Sequence, residues 1–93
     1  MKEFQLNAHQ YRFEFHVNGD AATLDYEHAD DKVLDLKATE VPEELRGQGV
    51  GGRLVQETLD WARDYHYHVI PTCPFVKGYI EKHPEYGDLV DGR

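Results

Sequence analysis

The sequence contains a single cysteine, Cys73, among its 93 residues. One cysteine cannot form an internal disulfide, and no N-terminal apolar run resembles a signal peptide or a membrane span. We therefore expect a cytoplasmic protein without a membrane partner. A chain of this length has room for one hydrophobic core, so a single domain over residues 1–93 is predicted. These features leave the oligomeric state open.

Basic residues are also scarce, because 10 Lys and Arg stand against 18 Asp and Glu, which gives a net charge of −8. Nucleic-acid sites need clustered Lys and Arg to displace counterions, so no nucleic-acid partner is expected. The six histidines lack the spacing of a zinc site, and we expect them, including the closest pair, His66 and His68, to be solvated or capping residues. We therefore expect no resident metal.

The first forty residues predict antiparallel strands. Residues 11–17 alternate apolar and polar side chains, which is the period of a half-buried strand. Asn18 and Gly19 follow at once and predict a hairpin, because both residues tolerate positive φ. The same reasoning predicts a short strand near 4–6, strands over 21–28 and 33–41, and a turn over 29–32.

The period changes after Gly52, where apolar residues recur at helical spacing. This pattern predicts one long helix from about Val50 to His66, with Trp61, Tyr65 and Tyr67 on or beside its apolar face as core residues. Residues 68–71 are expected to rejoin the sheet parallel to the strand before Pro42. A second short helix is expected over 75–82. The predicted fold class is α+β, with about five mainly antiparallel strands.

A glycine-rich turn over residues 46–52 connects the last antiparallel strand to the long helix. Glycines there allow close approach of a phosphate to backbone N–H groups, and the helix N-terminus adds its positive dipole end. A dinucleotide fold is disfavoured because no acidic residue lies about 20 positions further on, and a Walker A loop because no Gly-Lys-Ser/Thr follows. A glycine-rich turn that only connects the strand to the helix, without binding a ligand, remains an alternative.

A third interpretation depends on Arg46, because Arg46-x-x-Gly49-x-Gly51 resembles the acyl-CoA pattern of the GNAT superfamily. Residues 39–51, 70–76 and 79–86, in this order, resemble small GNAT-like N-acetyltransferases. The resemblance implies a minimal GNAT fold, an acetyl-CoA cofactor and acetyl transfer to a small-molecule or protein amine. A non-catalytic module that binds coenzyme A or acyl-CoA is the alternative. Ala38 replaces a histidine that often occurs there, which argues against a histidine base.

The resemblance also implies roles for individual residues. Glu40 is the candidate general base, Cys73 the candidate nucleophile or thioester neighbour, and Tyr79 the candidate general acid. The alternatives are a solvated carboxylate, a small buried apolar side chain and a packing residue beside Phe75. The implied cofactor-binding residues are Thr39, Val41, Arg46, Gly47, Gln48, Gly49, Val50, Gly51, Gly52, Cys73 and Tyr79.

Overall fold

The computed structural model describes residues 3–92 as an open, mixed sheet with helices. The strand order equals the sequence order, the first four strands are antiparallel, and the last two are parallel. This α+β architecture confirms the fold class predicted from the sequence. The strands are β1 (Phe4–Asn7), β2 (Arg12–Val17), β3 (Asp20–Asp30), β4 (Val33–Glu40) and β5 (His68–Pro71).

The two hairpin turns have positive φ angles, as turn chemistry requires. Asn18 and Gly19 have φ of 51° and 86° and connect β2 to β3, where the sequence predicts a hairpin. The next turn is shorter than predicted, because β3 extends to Asp30, which pairs with Val33. The polar residues at the end of β3 are of types that are common in turns, but their backbones still pair with β4.

Helix α1 (Val50–Asp64) lies against one face of the sheet and supplies much of the core. Its apolar stripe packs on β2 and β3 because apolar positions recur every three or four residues. The helix ends two residues before the predicted end, and His66 beyond it has a φ of 62°. The buried residues of α1 are Val50, Gly51, Leu54, Val55, Thr58, Leu59 and Ala62.

The aromatic residues near the end of α1 differ in burial. Trp61 and Tyr67 are half-buried against the core, but Tyr65 is 56% exposed. The prediction that Tyr65 belongs to the core was therefore wrong. Tyr65 follows the last helical residue as its C-cap, so the helical period that places a side chain over the sheet no longer applies there.

The C-terminal part packs against α1 and against β4 and β5. Helix α2 (Pro74–Lys82) begins with proline at its first position, and a 3₁₀ helix follows over Pro84–Leu89. Tyr86 is buried and its hydroxyl donates to Asp60 at 2.8 Å. Within residues 3–92, no helix is both long and apolar enough to cross a membrane.

Candidate functional site

The parallel strands β4 and β5 separate near Leu36. Their pairing ends at Leu36 opposite Pro71, and the backbone N–H of Cys73 then donates to the carbonyl of Leu36 at 2.8 Å. Strand β4 continues to Glu40 with its other edge paired to β3, while the chain after Pro71 turns into α2. The edge of β4 beyond Leu36 therefore borders an opening in the sheet.

The turn between β4 and α1 adopts a conformation that needs glycine. Gly47 and Gly49 have φ of 79° and 75°, a region in which residues with a side chain are strained. Gly49 is the N-cap of α1 and provides no side chain to cap it. Polar side chains of the turn are used elsewhere, because Arg46 Nε donates to the carbonyl of Val41 at 3.2 Å and Gln48 Nε2 to that of Glu44 at 3.0 Å.

The start of α1 consequently presents backbone N–H groups without a side-chain cap. The first intrahelical bond runs from Arg53 N to Gly49 O at 3.1 Å, so the N–H groups of Val50, Gly51 and Gly52 precede it. A helix N-terminus also carries the positive end of the helix dipole. Such a terminus suits a phosphate or another anion.

A cavity of about 230 Å³ lies directly at this helix start. Gly51 is buried there, and a Cβ on it would lie 3.1 Å from the Phe75 ring and 3.3 Å from Val41 Cγ2. The close approach of α1 to these two side chains therefore favours glycine at this position. The lining residues are Val41, Leu45, Arg46, Gly47, Gly49, Val50, Gly51, Gly52 and Phe75.

Seven of the predicted cofactor residues line this cavity, and the other four lie outside its lining. Gln48 belongs to the same turn. Thr39 lies on β4 at the opening, Cys73 is the N-cap of α2, and Tyr79 lies within α2. Leu45 and Phe75 also line the cavity and are absent from the predicted cofactor residues; Phe75 is 49% exposed. The helical spacing of Phe75 and Tyr79 gave no sign that Phe75 faces the glycine turn.

Cys73 and Thr39 meet across the opening, with Sγ and Oγ1 3.4 Å apart. Burial raises the pKa of the Cys73 thiol, but hydrogen bonds from the Thr39 hydroxyl and from the backbone N–H groups of Val76 and Phe75 outweigh it. The net effect lowers the pKa of Cys73 below its ordinary value. Cys73 is therefore a buried thiol whose thiolate form is stabilised.

The other two candidate catalytic residues lie on opposite sides of the sheet. Tyr79 is half-buried on α2, its ring stacks on His83 with centroids 4.1 Å apart, and burial followed by the charges of Asp60 and Glu85 raises its pKa. Glu40 is exposed and pairs with Thr23. Successive strand residues point to opposite faces, so Glu40 lies on the face away from Thr39.

A buried carboxylate that the sequence pattern did not reveal lies on the face of the sheet opposite α1. Glu14 accepts hydrogen bonds from Gln5 and Asn7 at 3.0 Å and from Arg12 at 2.7 Å. His16 Nε2 lies 2.8 Å from Glu14 Oε1. Together these partners, the Asn7 hydrogen bond most strongly, lower its pKa from 4.5 to about 2 although burial opposes them. This cluster joins β1 to β2.

Comparisons with known proteins agree with one another. A family model described as GCN5-related N-acetyl-transferase matches residues 12–89. Protein NATD1 of Mus musculus is 32% identical over 75 residues, which cover 78% of this chain and 68% of that protein. Protein NATD1 of Danio rerio is 32% identical over 79 residues, which cover 81% and 72%.

A solved structure has the same fold. The NMR solution structure of a GCN5-like protein from Staphylococcus aureus superimposes with a TM-score of 0.72 and 29% sequence identity, over 98% of this chain and 89% of that chain. The match therefore extends beyond the glycine-rich turn to the whole sheet and both helices.

Within residues 3–92, no group of three or more His, Cys, Asp or Glu side chains is arranged to hold a metal ion.

Proposed function

Because the chain belongs to the GCN5-related N-acetyltransferase family, we propose that it binds acetyl-CoA at residues 46–52 and transfers the acetyl group to an amine. One observation carries this proposal. The uncapped start of α1 opens into a glycine-lined cavity next to the place where β4 and β5 separate. A phosphate-bearing ligand and its extended arm would need these two features side by side.

The residues around the cavity fit a coenzyme A pyrophosphate. The backbone N–H groups of Val50, Gly51 and Gly52 are suited to donate to phosphate oxygens, since no side chain caps them. Val41 and the exposed ring of Phe75 supply apolar surface at the cavity wall. The free edge of β4 beyond Leu36 offers main-chain groups that can pair with the amides of the pantetheine arm.

When bound, acetyl-CoA supplies an activated thioester. We assign the proton acceptance from the attacking amine to Glu40, whose exposed carboxylate is open to solvent and to an acceptor. We assign proton donation to the departing thiolate to Tyr79, whose hydroxyl is protonated at neutral pH, although its raised pKa makes it a weaker acid than an ordinary tyrosine. Cys73 is either a neighbour of the reacting sulfur or, with its lowered pKa, a nucleophile in its own right.

The acceptor that we propose is an exposed cationic amine, carried by a small molecule or by a protein side chain. The net charge of −8 favours the approach of cations. Glu40 and its strand partner Thr23 lie on the sheet face opposite α1, which leaves that end of β4 accessible.

Calorimetric titration with coenzyme A tests the binding step. We expect Gly49→Ala to weaken binding at least tenfold, because an added Cβ distorts the uncapped helix start. Gly19→Ala is a matched control, since Gly19 also has positive φ and open space around it but lies in the β2–β3 hairpin. No binding heat at millimolar coenzyme A, or equal losses in both variants, would contradict the proposal.

A coenzyme A-binding module without catalysis is the second candidate. It is favoured by the positions of Glu40 and Tyr79, because the candidate base and the candidate acid lie on opposite sides of the sheet. Thiol release from acetyl-CoA in the presence of a panel of amines distinguishes the two. An enzyme releases thiol above the uncatalysed background, whereas a binding module leaves the background rate unchanged.

A further inference from the structure

The opening between β4 and β5 has two rims that approach each other at two levels. One rim is the end of β4 with the turn that follows it, and the other is the start of α2. At the first level, Thr39 Oγ1 lies 3.4 Å from Cys73 Sγ. Two residues further along each rim, Val41 and Phe75 both lie against Gly51 of α1. This second level forms part of the cavity wall at the helix start.

The side chains of Val41 and Phe75 form a small apolar surface, which we call the apolar wall. A Cβ on Gly51 would lie 3.1 Å from Phe75 Cζ and 3.3 Å from Val41 Cγ2, so both side chains converge on the same point of α1. Phe75 is nevertheless 49% exposed, because mainly the tip of its ring meets the helix. Apolar surface that is open to water in this way gains free energy when a ligand covers it.

The order of chemical groups in coenzyme A matches the order of features along the opening. Next to the pyrophosphate, after a single CH₂–O link, the arm carries a quaternary carbon with two methyl groups, which belongs to the pantoyl unit. The amides and the thiol follow further along the arm. A pyrophosphate at the N–H groups of the α1 start therefore places the methyl groups beside the helix start, before the arm reaches Thr39 and Cys73.

From this correspondence we propose that the apolar wall binds the pantoyl methyl groups and selects coenzyme A over nucleotides that carry the same pyrophosphate without a pantoyl arm. The inference rests on the proposed coenzyme A site at residues 46–52. Burial of two methyl groups against apolar side chains corresponds to about a tenfold gain in affinity.

The position of Phe75 favours the pantoyl unit over the adenine base. An exposed aromatic ring also suits stacking on a base. Phe75, however, lies two residues from Cys73 on the rim of the opening, and Cys73 contacts Thr39 across it. The ring is therefore on the side of the helix start from which the arm enters the opening.

NMR with 4′-phosphopantetheine tests the location of the pantoyl unit directly. Its two methyl groups give separate singlets, and we expect intermolecular NOEs from them to the ring protons of Phe75. The same NOEs are expected with coenzyme A, whereas the adenine protons should show none to this ring. NOEs from adenine to Phe75, or pantoyl NOEs only to other residues, would overturn the proposal.

Calorimetric titrations of two variants test the selectivity. Phe75→Ala should weaken 4′-phosphopantetheine and coenzyme A about tenfold. Phe75→Leu should retain most of the affinity, because a branched apolar side chain still covers the methyl groups. ADP carries adenine and a pyrophosphate but no pantoyl unit, so it should bind more weakly than coenzyme A and equally to all variants. A loss for ADP without a loss for 4′-phosphopantetheine would assign the ring to adenine and overturn the proposal.

Tyr65→Ala is the matched control, since Tyr65 is similarly exposed at 56% but follows the other end of α1. It should bind all three ligands like the unaltered chain. If neither coenzyme A nor 4′-phosphopantetheine binds the unaltered chain, the proposed coenzyme A site fails and the role of the apolar wall fails with it. If coenzyme A binds equally to Phe75→Ala and to the unaltered chain, the coenzyme A site stands and only the role of the apolar wall is wrong.

Discussion

The hydroxyl of Thr39 lies 3.4 Å from the thiol of Cys73, although 34 residues separate them in sequence. The contact joins the free end of β4 to the N-cap of α2, where β5 no longer pairs with β4. It therefore closes one side of the opening next to the glycine-lined cavity. Thr39 also stabilises the thiolate of Cys73, so the contact relates the architecture of the opening to its chemistry.

Thr39→Val should raise the pKa of Cys73, because the isosteric valine removes the hydroxyl that stabilises the thiolate. The pH profile of Cys73 alkylation reports this pKa. We expect its midpoint to move to higher pH in Thr39→Val. Thr23→Val serves as the control, since Thr23 pairs with Glu40 on the other face of the sheet. An unchanged midpoint in Thr39→Val would show that the hydroxyl does not act on the thiol.

Glu40→Gln and Cys73→Ala should have different effects on acetyl transfer. If Glu40 accepts the proton, Glu40→Gln lowers the rate by about 10²–10⁴-fold while coenzyme A affinity stays near normal, because the main chain holds the cofactor. If Cys73 is the nucleophile, Cys73→Ala abolishes transfer and the unaltered protein yields a trappable acetyl-thioester. Thiol release and mass spectrometry measure these outcomes. Full activity in both variants would remove both roles and leave catalysis to positioning.

Glu14→Gln should destabilise the fold at neutral pH by about 1–2 kcal/mol. This is less than the full pKa change would give, because Arg12 and His16 remain partly exposed and solvent screens them. The folded-state pKa of about 2 lies below the ordinary 4.5, so the stabilisation is present above pH 4.5 and is lost as the pH falls toward 2. Urea unfolding at several pH values measures it.

The control for this variant is Glu57→Gln, on α1, away from the Glu14 cluster. The free-energy difference between Glu14→Gln and the unaltered chain should shrink between pH 4.5 and 2, whereas Glu57→Gln should show no such convergence. A Glu14→Gln difference that is constant with pH would mean that the carboxylate charge does not stabilise the sheet.

Thr58→Val should stabilise the protein by about 1 kcal/mol. Thr58 is 1% exposed on α1, and its Oγ1 has no hydrogen-bond partner among the described residues. Replacing an unsatisfied buried hydroxyl by a methyl group of similar size removes its desolvation cost. The urea midpoint should rise, and Thr23→Val on the sheet should leave it nearly constant. A lower midpoint in Thr58→Val would indicate a partner for the hydroxyl.

The local patterns predicted most of the fold because each depends on neighbouring residues. The alternation of β2, the Asn18–Gly19 turn and the helical period after Gly52 are all set by residues a few positions apart. The parallel placement of β5 also followed, since a strand, a helix and a second strand connect in one favoured hand. The glycine-rich turn was placed correctly for the same local reason.

Features that depend on pairing between distant segments could not be predicted. Glu14 reads as a solvent-facing strand residue, and only the register of β1 on β2 places Gln5 beside it. Tyr11 reads as the first residue of β2, yet it has a left-handed φ of 55° as the C-cap of the preceding 3₁₀ helix, and β2 begins at Arg12. The contact between Phe75 and Gly51 likewise requires the packing of α2 on α1.

The chemical assignments of Glu40, Cys73 and Tyr79 stay predictions, as does coenzyme A binding itself. All depend on where the cofactor lies, and the position of its phosphates is therefore the central claim. Backbone NMR with unlabelled coenzyme A measures this position directly, since amide protons that donate to phosphate oxygens shift strongly. We predict the largest saturable shifts at Val50, Gly51 and Gly52. Largest shifts elsewhere, or none at saturating coenzyme A, would contradict the account.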